Sequence, residues 1–498
     1  MKRNSPEPRA TATAGPDEFR MVWMATFAAL SVLLLLLLWF PVARINAQYT
    51  VTINEGFNAY YEGAAGSGAR LYGAPPHYAY ANYPPVSFHL IGLLGRLTGD
   101  VNVAGRWISF LAYLAIAACA ALIVRCFTSS WRYSAYAALC WLIWLCAFDV
   151  VRVGYNDPHV LGVAVSMAGL YCFVRYPDSA RGLAISAALF ALSLFIKQSL
   201  FPFPMAVALQ LFLTSRKRLA LWMGTAIGAC VVLLLLTLAV DGKYFFDHLN
   251  LPRVYYPADI VNSLSTYFYF IQGAFVAACL WLLRTGNFGP RRVLLTAFVA
   301  AHVIATFLLG GAGAGLNHLY EAMLAIAMIG ALLLPEVEAL VGRWRFPRAS
   351  LAALLILPFF LTSFVVLPRR IPSDLARYAK EVPESEAEFT YVTKFLREQP
   401  GPAMCETLLL CYAAGKPEEY DSFAVDEALR TGRIQLPEIL QLLETRRFRT
   451  VQLEWPSNQP MQPTARIRFP GPFMRLLFAK YKLAFRTKWY AVFIPNEA

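Results

Sequence analysis

Long apolar runs alternate with short polar stretches over most of this chain. The first extends from Met21 to Ala43, and others follow at roughly 104–124, 134–150, 159–175, 180–196, 200–214, 219–240, 263–283, 291–310, 318–334 and 349–367. A helix needs about 20 mainly apolar residues to cross a bilayer, so this pattern predicts about eleven spans, some of them tilted or broken. Val86–Leu97 is the exception, about twelve apolar residues and too short to cross. Read as a span, it would carry Arg125 and Arg132 to the outer side and invert every later basic loop. It is therefore predicted to lie along the membrane surface. Beyond about residue 370 the long runs stop and charge returns. Asp374–Glu398 has helical patterning, whereas Thr450–Leu453 and Tyr490–Ile494 read as short strands. The expected fold class is a polytopic α-helical membrane protein with a small C-terminal extracytoplasmic α/β domain. Its expected divisions are a disordered cytoplasmic segment 1–20, a membrane domain 21–368 with its first outer loop at 45–98, and a soluble domain 369–498.

Composition agrees. The chain is 58% hydrophobic and 15% charged, against about 25% charged in soluble domains. A net charge of +13 invites a nucleic-acid reading, but the basic residues cluster in short loops between apolar runs. That is membrane topology with some attraction to anionic lipid, and no nucleic-acid partner is expected. Lys2, Arg3, Arg9 and Arg20 place the N-terminus in the cytoplasm. The remaining cytoplasmic loops then hold Arg125/Arg132, Arg175/Arg181, Arg216-Lys217-Arg218, Arg284/Arg291/Arg292 and Arg343/Arg345/Arg348. The predicted location is a cell (plasma or inner) membrane, multi-pass, with the C-terminal domain outside. Ala43–Ala47 is a poor signal cleavage site, so the first span reads as uncleaved. Seven of nine cysteines fall in apolar runs and act as small apolar residues. Cys405 and Cys411 lie in the tail, and their spacing fixes no connectivity. No pattern suggests a metal site or a nucleotide loop, and no cofactor is expected.

This topology leaves one distinctive polar set on the outer face: Glu55, Asn58, Glu62, His77, Asn82 and Tyr83, then Asn156, Asp157 and His159, Lys197-Gln198, Asp247-His248, Arg253 and Asn317-His318. Glu55, in NEGFNAYYE, suits a general base, with neighbouring aromatic faces for a sugar or an isoprenoid; the plainer reading is a solvated interfacial carboxylate. Asp157, before Pro158, reads equally as a helix cap and as a second acid, with Arg152 near it in sequence. Lys197, beside Gln198, is either a snorkelling amine or a contact to a lipid phosphate, and Arg253 is a second such contact. His318, with Asn317, Tyr320 and Glu321 around it, reads first as an interfacial residue.

Taken in order, Asn54-Glu55-Gly56, Asn82-Tyr83-Pro84-Pro85, Arg106, Asn156-Asp157-Pro158, Lys197-Gln198 and Gly315–Glu321 resemble the GT-C superfamily of membrane glycosyltransferases. Within it they are similar to the protein O-mannosyltransferase-like and lipid A aminoarabinose transferase-like enzymes. The resemblance runs from the first span to about residue 335 and leaves the tail unmatched. It implies a polyprenyl-phosphate sugar donor, an inverting metal-independent transfer outside the cytoplasm, and a lipid, glycan or protein acceptor. It also implies Glu55 as base, Asp157 as the second acidic position and Lys197 on the donor-phosphate side. In that family the first acid is often Asp. The rival class is a transporter or flippase of lipid-linked sugar. Such proteins tend to show paired halves and interrupted mid-span helices, and neither is evident here.

Overall fold

A computed structural model describes residues 19–74, 78–284, 289–344 and 346–496. The N-terminal segment to residue 18, His77 and Arg345 lie outside the described residues.

A helix stands at every position where the hydropathy pattern predicts a span. Six described helices are long and apolar enough to cross a membrane, or seven if the bent pair Arg348–Phe359 and Thr362–Glu398 is one span. Ala180–Ile196, Pro202–Thr214 and Arg292–Leu308 are apolar but shorter. Helix starts follow local chemistry. The Asp100, Asp157, Ser179 and Ser215 side chains each accept a backbone N–H of the first turn, which satisfies donors that the helix itself cannot. A helix apolar all round is either a core helix or a lipid-facing one, and both kinds occur. Tyr320–Arg343 buries nearly every side chain of its first half, whereas Arg216–Val240 exposes Ile227, Val231 and Leu235.

Val86–Thr98 is a separate short helix, as expected. It crosses the outer-loop helix Asn54–Ser67 where two glycines meet. A Cβ on Gly66 would come within 2.8 Å of the Gly92 carbonyl oxygen, so only glycine permits this approach. Arg96 Nη1 donates to the Gly66 carbonyl (2.7 Å), and His89 pairs with Asp241 at the end of Arg216–Val240 (2.8 Å).

The tail carries a four-stranded sheet of order β1-β2-β4-β3. The strands are β1 (Ala403–Cys405), β2 (Thr450–Glu454), β3 (Tyr481–Arg486) and β4 (Tyr490–Pro495). β1 and β2 are parallel, and the other pairings are antiparallel. Successive residues face opposite sides of a strand. Met404 and Phe493 accordingly join a core with Val425, Ile439 and Leu477. Their neighbours Cys405 and Val492 join a second core with Val392, Leu396 and Ala59. Ala59 belongs to the outer-loop helix, so tail and outer loop share one core. Gly56 makes this possible, because a Cβ there would lie 2.6 Å from the Leu408 carbonyl carbon. The tail amide of Asp421 also donates to Tyr78 O (2.8 Å), and Tyr80 Oη donates to Ala424 O (2.9 Å). Cys405 and Cys411 form a disulfide, and the other seven cysteines are free.

Candidate active site

Glu55 opens the helix Asn54–Ser67 and is fully buried. Arg106, on the helix Val101–Thr128, grips it with two bonds, Nε to Oε1 (2.7 Å) and Nη2 to Oε2 (2.8 Å). The amide of Val51 adds a bond to Oε2 (2.8 Å) and that of Asn156 one to Oε1 (3.3 Å). A carboxylate has about four acceptor positions, and here four donors occupy them. The remaining Arg106 donors go to the carbonyls of Ile45 (3.2 Å), Ala47 (2.6 Å) and Tyr49 (2.6 Å). All five guanidinium N–H groups are thus used, and the pair closes the outer loop onto the bundle. Arg106 entered the sequence reading only as the start of a span, yet it is the partner that defines Glu55.

Behind this pair lies a second buried network. Asn58 Nδ2 donates to Asn156 O (2.7 Å), and Asn156 Nδ2 donates to Glu62 Oε2 (2.6 Å). Burial pushes the Glu62 carboxyl well above its ordinary range, and the Asn156 bond only partly opposes this. Asp157 does cap its helix: Oδ1 accepts from His159 N (2.6 Å). Its other oxygen accepts from Tyr155 Oη and faces Arg152 Nη1 at 3.4 Å. Burial raises the Asp157 carboxyl, but Lys197, Arg152 and these hydrogen bonds outweigh it and hold the group below the usual carboxylate range. Arg152 also pairs with Asp149 (3.0 Å). His159 Nδ1 receives Asn317 Nδ2 (3.0 Å), and its ring meets that of His318 edge-on at 5.7 Å. Cap and charge centre therefore coexist at Asp157, and Arg152, His159, Asn317 and His318 gather around it.

Lys197 Nζ sits 3.9 Å above the Tyr83 ring. Gln198 Nε2 donates to Asn82 O (2.9 Å). Beside this joint, Pro84 and Gln198 line an apolar groove of about 600 Å³ together with Phe190, Leu194, Trp222, Ile227 and Leu234. Asn82 and Tyr83 themselves line a polar pocket of about 90 Å³, together with Arg253 and the tail residues Glu406, Asp421 and Arg468. Past Ile53, Glu406 and Arg468 begins a cleft of about 930 Å³ between the tail and the bundle, whose wall includes Arg44 and Arg377. Glu55 and Asp157 line neither space. The sequence reading passed over Glu406, Asp421 and Arg468, since nothing local sets them apart in a charged soluble stretch. Arg468 does stand out in backbone conformation, with φ at 70°, a region that non-glycine residues occupy at a cost of about 1–3 kcal/mol.

Residues 82–240 match the family described as dolichyl-phosphate-mannose-protein mannosyltransferase. No curated protein sequence matches the chain. Among solved structures, ArnT from Cupriavidus metallidurans bound to undecaprenyl phosphate aligns at TM-score 0.59 and 12% identity, covering 96% of this chain and 98% of that one. Its apo form aligns at TM-score 0.60 and 13% identity, covering 95% and 98%. The apo oligosaccharyltransferase of Archaeoglobus fulgidus aligns at TM-score 0.50 and 12% identity, covering 88% of this chain and 70% of that one. The expected polytopic helical fold with a small C-terminal sheet is thereby borne out: this chain has the fold of these GT-C membrane enzymes, and the mannosyltransferase-family match falls on the stretch that holds Asn82, Asp157 and Lys197.

Proposed function

We propose that the protein is a membrane glycosyltransferase that moves a sugar from a polyprenyl-phosphate donor to a lipid, glycan or protein acceptor outside the cytoplasm, with inversion at the sugar carbon. One observation carries the reading. An apolar groove among the bundle helices is bounded by Pro84 and Gln198, which adjoin Tyr83 and Lys197 in the chain, and Asn82 and Tyr83 line a polar pocket with Arg253. An isoprenoid chain needs such a groove, and its phosphate needs cations at the end of it. The Cupriavidus relative, bound to undecaprenyl phosphate, supports the same class of donor.

In this reading Lys197 and Arg253 contact the donor phosphate, and Asp157 keeps Lys197 and the His159–His318 pair in place. Asn58 and Asn156 fix the floor beneath. Glu55 clamps the outer loop through Arg106, since its four acceptor positions are already filled, and a base needs a free lone pair toward the proton it takes. Residues 21–368 then hold the donor. The tail, 369–498, faces the same side as the outer loop, to which it is fused, and the basic loops lie in the cytoplasm.

The test uses purified protein in lipid nanodiscs with a panel of polyprenyl-phosphate sugars, and donor loss is followed by mass spectrometry. Consumption by wild type, with a raised KM in Lys197→Met, is the expected result. Tight donor binding without consumption, together with flipping of labelled lipid across vesicles, would identify a transporter instead.

A further inference from the structure

We propose that the C-terminal domain supplies the general base of the transfer, and that this base is Glu406. The inference rests on the glycosyltransferase reading above and assigns a residue to its proton transfer.

Glu406 directly follows β1 and lines both the small polar pocket and the large cleft, and so stands where the two meet. The pocket, at about 90 Å³, has room for about three waters; that suits a phosphate group and not a hexose. The cleft, at about 930 Å³, has the volume of an ordinary ligand site. A donor with its phosphate in the pocket would therefore extend its sugar through the throat toward an acceptor in the cleft. Glu406 is the acid that lines both spaces. Its Oε2 accepts from Glu454 N (2.8 Å), and among the described residues no hydrogen bond holds Oε1. The rival acids each line only one of the two spaces, Asp421 the pocket and Glu454 the cleft. Asp421 Oδ1 caps the helix Ser422–Arg430 through Phe423 N (2.8 Å), and Glu454 Oε1 accepts from Thr407 Oγ1 (2.8 Å). The Cys405–Cys411 disulfide brackets Glu406 in sequence and fixes the loop that presents it.

The groups facing Glu406 suit the task. Burial and the nearby Glu454 push its carboxyl up to about 7, while Glu454 N, Arg466 and Arg468 restrain the rise. Asp421 and Arg253 face it across the pocket, and Arg44, Arg377 and Glu381 across the cleft. A base is most effective with a pKa near the working pH. In the step, the Glu406 carboxylate takes the proton of the acceptor hydroxyl, and that oxygen bonds to the sugar carbon. The bond from this carbon to the phosphate oxygen breaks, and its electron pair leaves with the polyprenyl phosphate. Arg253 and Arg468 meet the charge that develops there. Neither has a carboxylate within ion-pair distance among the described residues, and Arg468 reaches the pocket from its strained backbone, over the Phe423 ring at 5.6 Å.

The experiment measures kcat/KM for donor loss from about pH 5 to about pH 9 in wild type, Glu406→Gln and Glu406→Asp, with donor binding and thermal unfolding recorded for each. The expected wild-type rate climbs about tenfold per pH unit below about pH 7 and then levels. Glu406→Gln is expected to lose about 10²–10⁴-fold in rate, to lose the pH limb, and to keep donor binding. If that variant unfolds early, Glu406→Asp decides. A surviving limb at reduced rate supports the role, and a folded Asp variant without the limb overturns it. A Glu406→Gln enzyme with wild-type rate and limb removes Glu406 from the chemistry and leaves the transferase standing. No consumption by wild type of any donor sinks the transferase reading and this role together.

Discussion

The buried Glu55–Arg106 pair gives the sharpest test of how the outer loop is built. Arg106→Met removes two charged bonds to Glu55 and three bonds to the carbonyls of Ile45, Ala47 and Tyr49. It leaves a carboxylate with no exposed surface and only the amides of Val51 and Asn156 for company. Breaking a buried pair from one side costs about 3–5 kcal/mol, because the remaining charge is uncompensated. Glu55→Gln is milder. One oxygen still accepts from Arg106, and the expected loss is about 1.5–3 kcal/mol, the worth of a charge-assisted bond. The double variant Glu55→Gln/Arg106→Met no longer buries a bare charge, so its loss should fall short of the sum of the two by about 2 kcal/mol or more. Unfolding in nanodiscs can be read by maleimide labelling of the buried thiols Cys140 and Cys146. Activity should fall in step with the folded fraction. A Glu55→Gln protein as stable as wild type, bound to donor yet unable to consume it, would refute this account and return Glu55 to the role of base.

Three further outcomes are expected. Gly56→Ala places a methyl against the Leu408 and Leu409 backbone, and overpacking of this kind costs about 1–3 kcal/mol; limited proteolysis should release the tail sooner than in wild type. Ala226→Trp sets an indole into the apolar groove, so KM for a full-length polyprenyl donor should rise at least about tenfold, the equivalent of about 1.4 kcal/mol, with a short-chain donor far less affected. Stability should also report on Glu406. Its carboxyl rises from 4.5 in the unfolded chain to about 7 in the fold, driven by burial and then by Glu454. The folded state thus holds the proton more tightly, and the associated stability is complete below about pH 4.5 and is lost as pH rises through about 7, by at most about 3 kcal/mol. Melting curves across that window should fall for wild type and flatten for Glu406→Gln.

How far the sequence could be read follows from the range over which each feature is determined. Apolar runs report spans because a backbone in lipid must satisfy itself within its own segment; the helix positions were legible for that reason. The short Val86–Thr98 was legible from its length, about twelve apolar residues and too few to cross. Asp157 was legible as a cap because its partner, His159 N, is two residues away. Glu55 was not, since its character depends on Arg106, 51 residues on, and on whether that guanidinium is otherwise engaged. The same acid beside an unfilled cavity would be a base. Glu406 is the converse: an ordinary residue in a charged tail, made unusual by a throat whose other walls come from Ile53 and Arg468. Gly56, next to Glu55, lets the tail backbone at Leu408 and Leu409 touch the outer-loop helix. In the proposed reading the membrane pattern selects the outer face for the chemistry, and the packing of the tail against the outer loop sets Glu406 where the pocket and the cleft share walls.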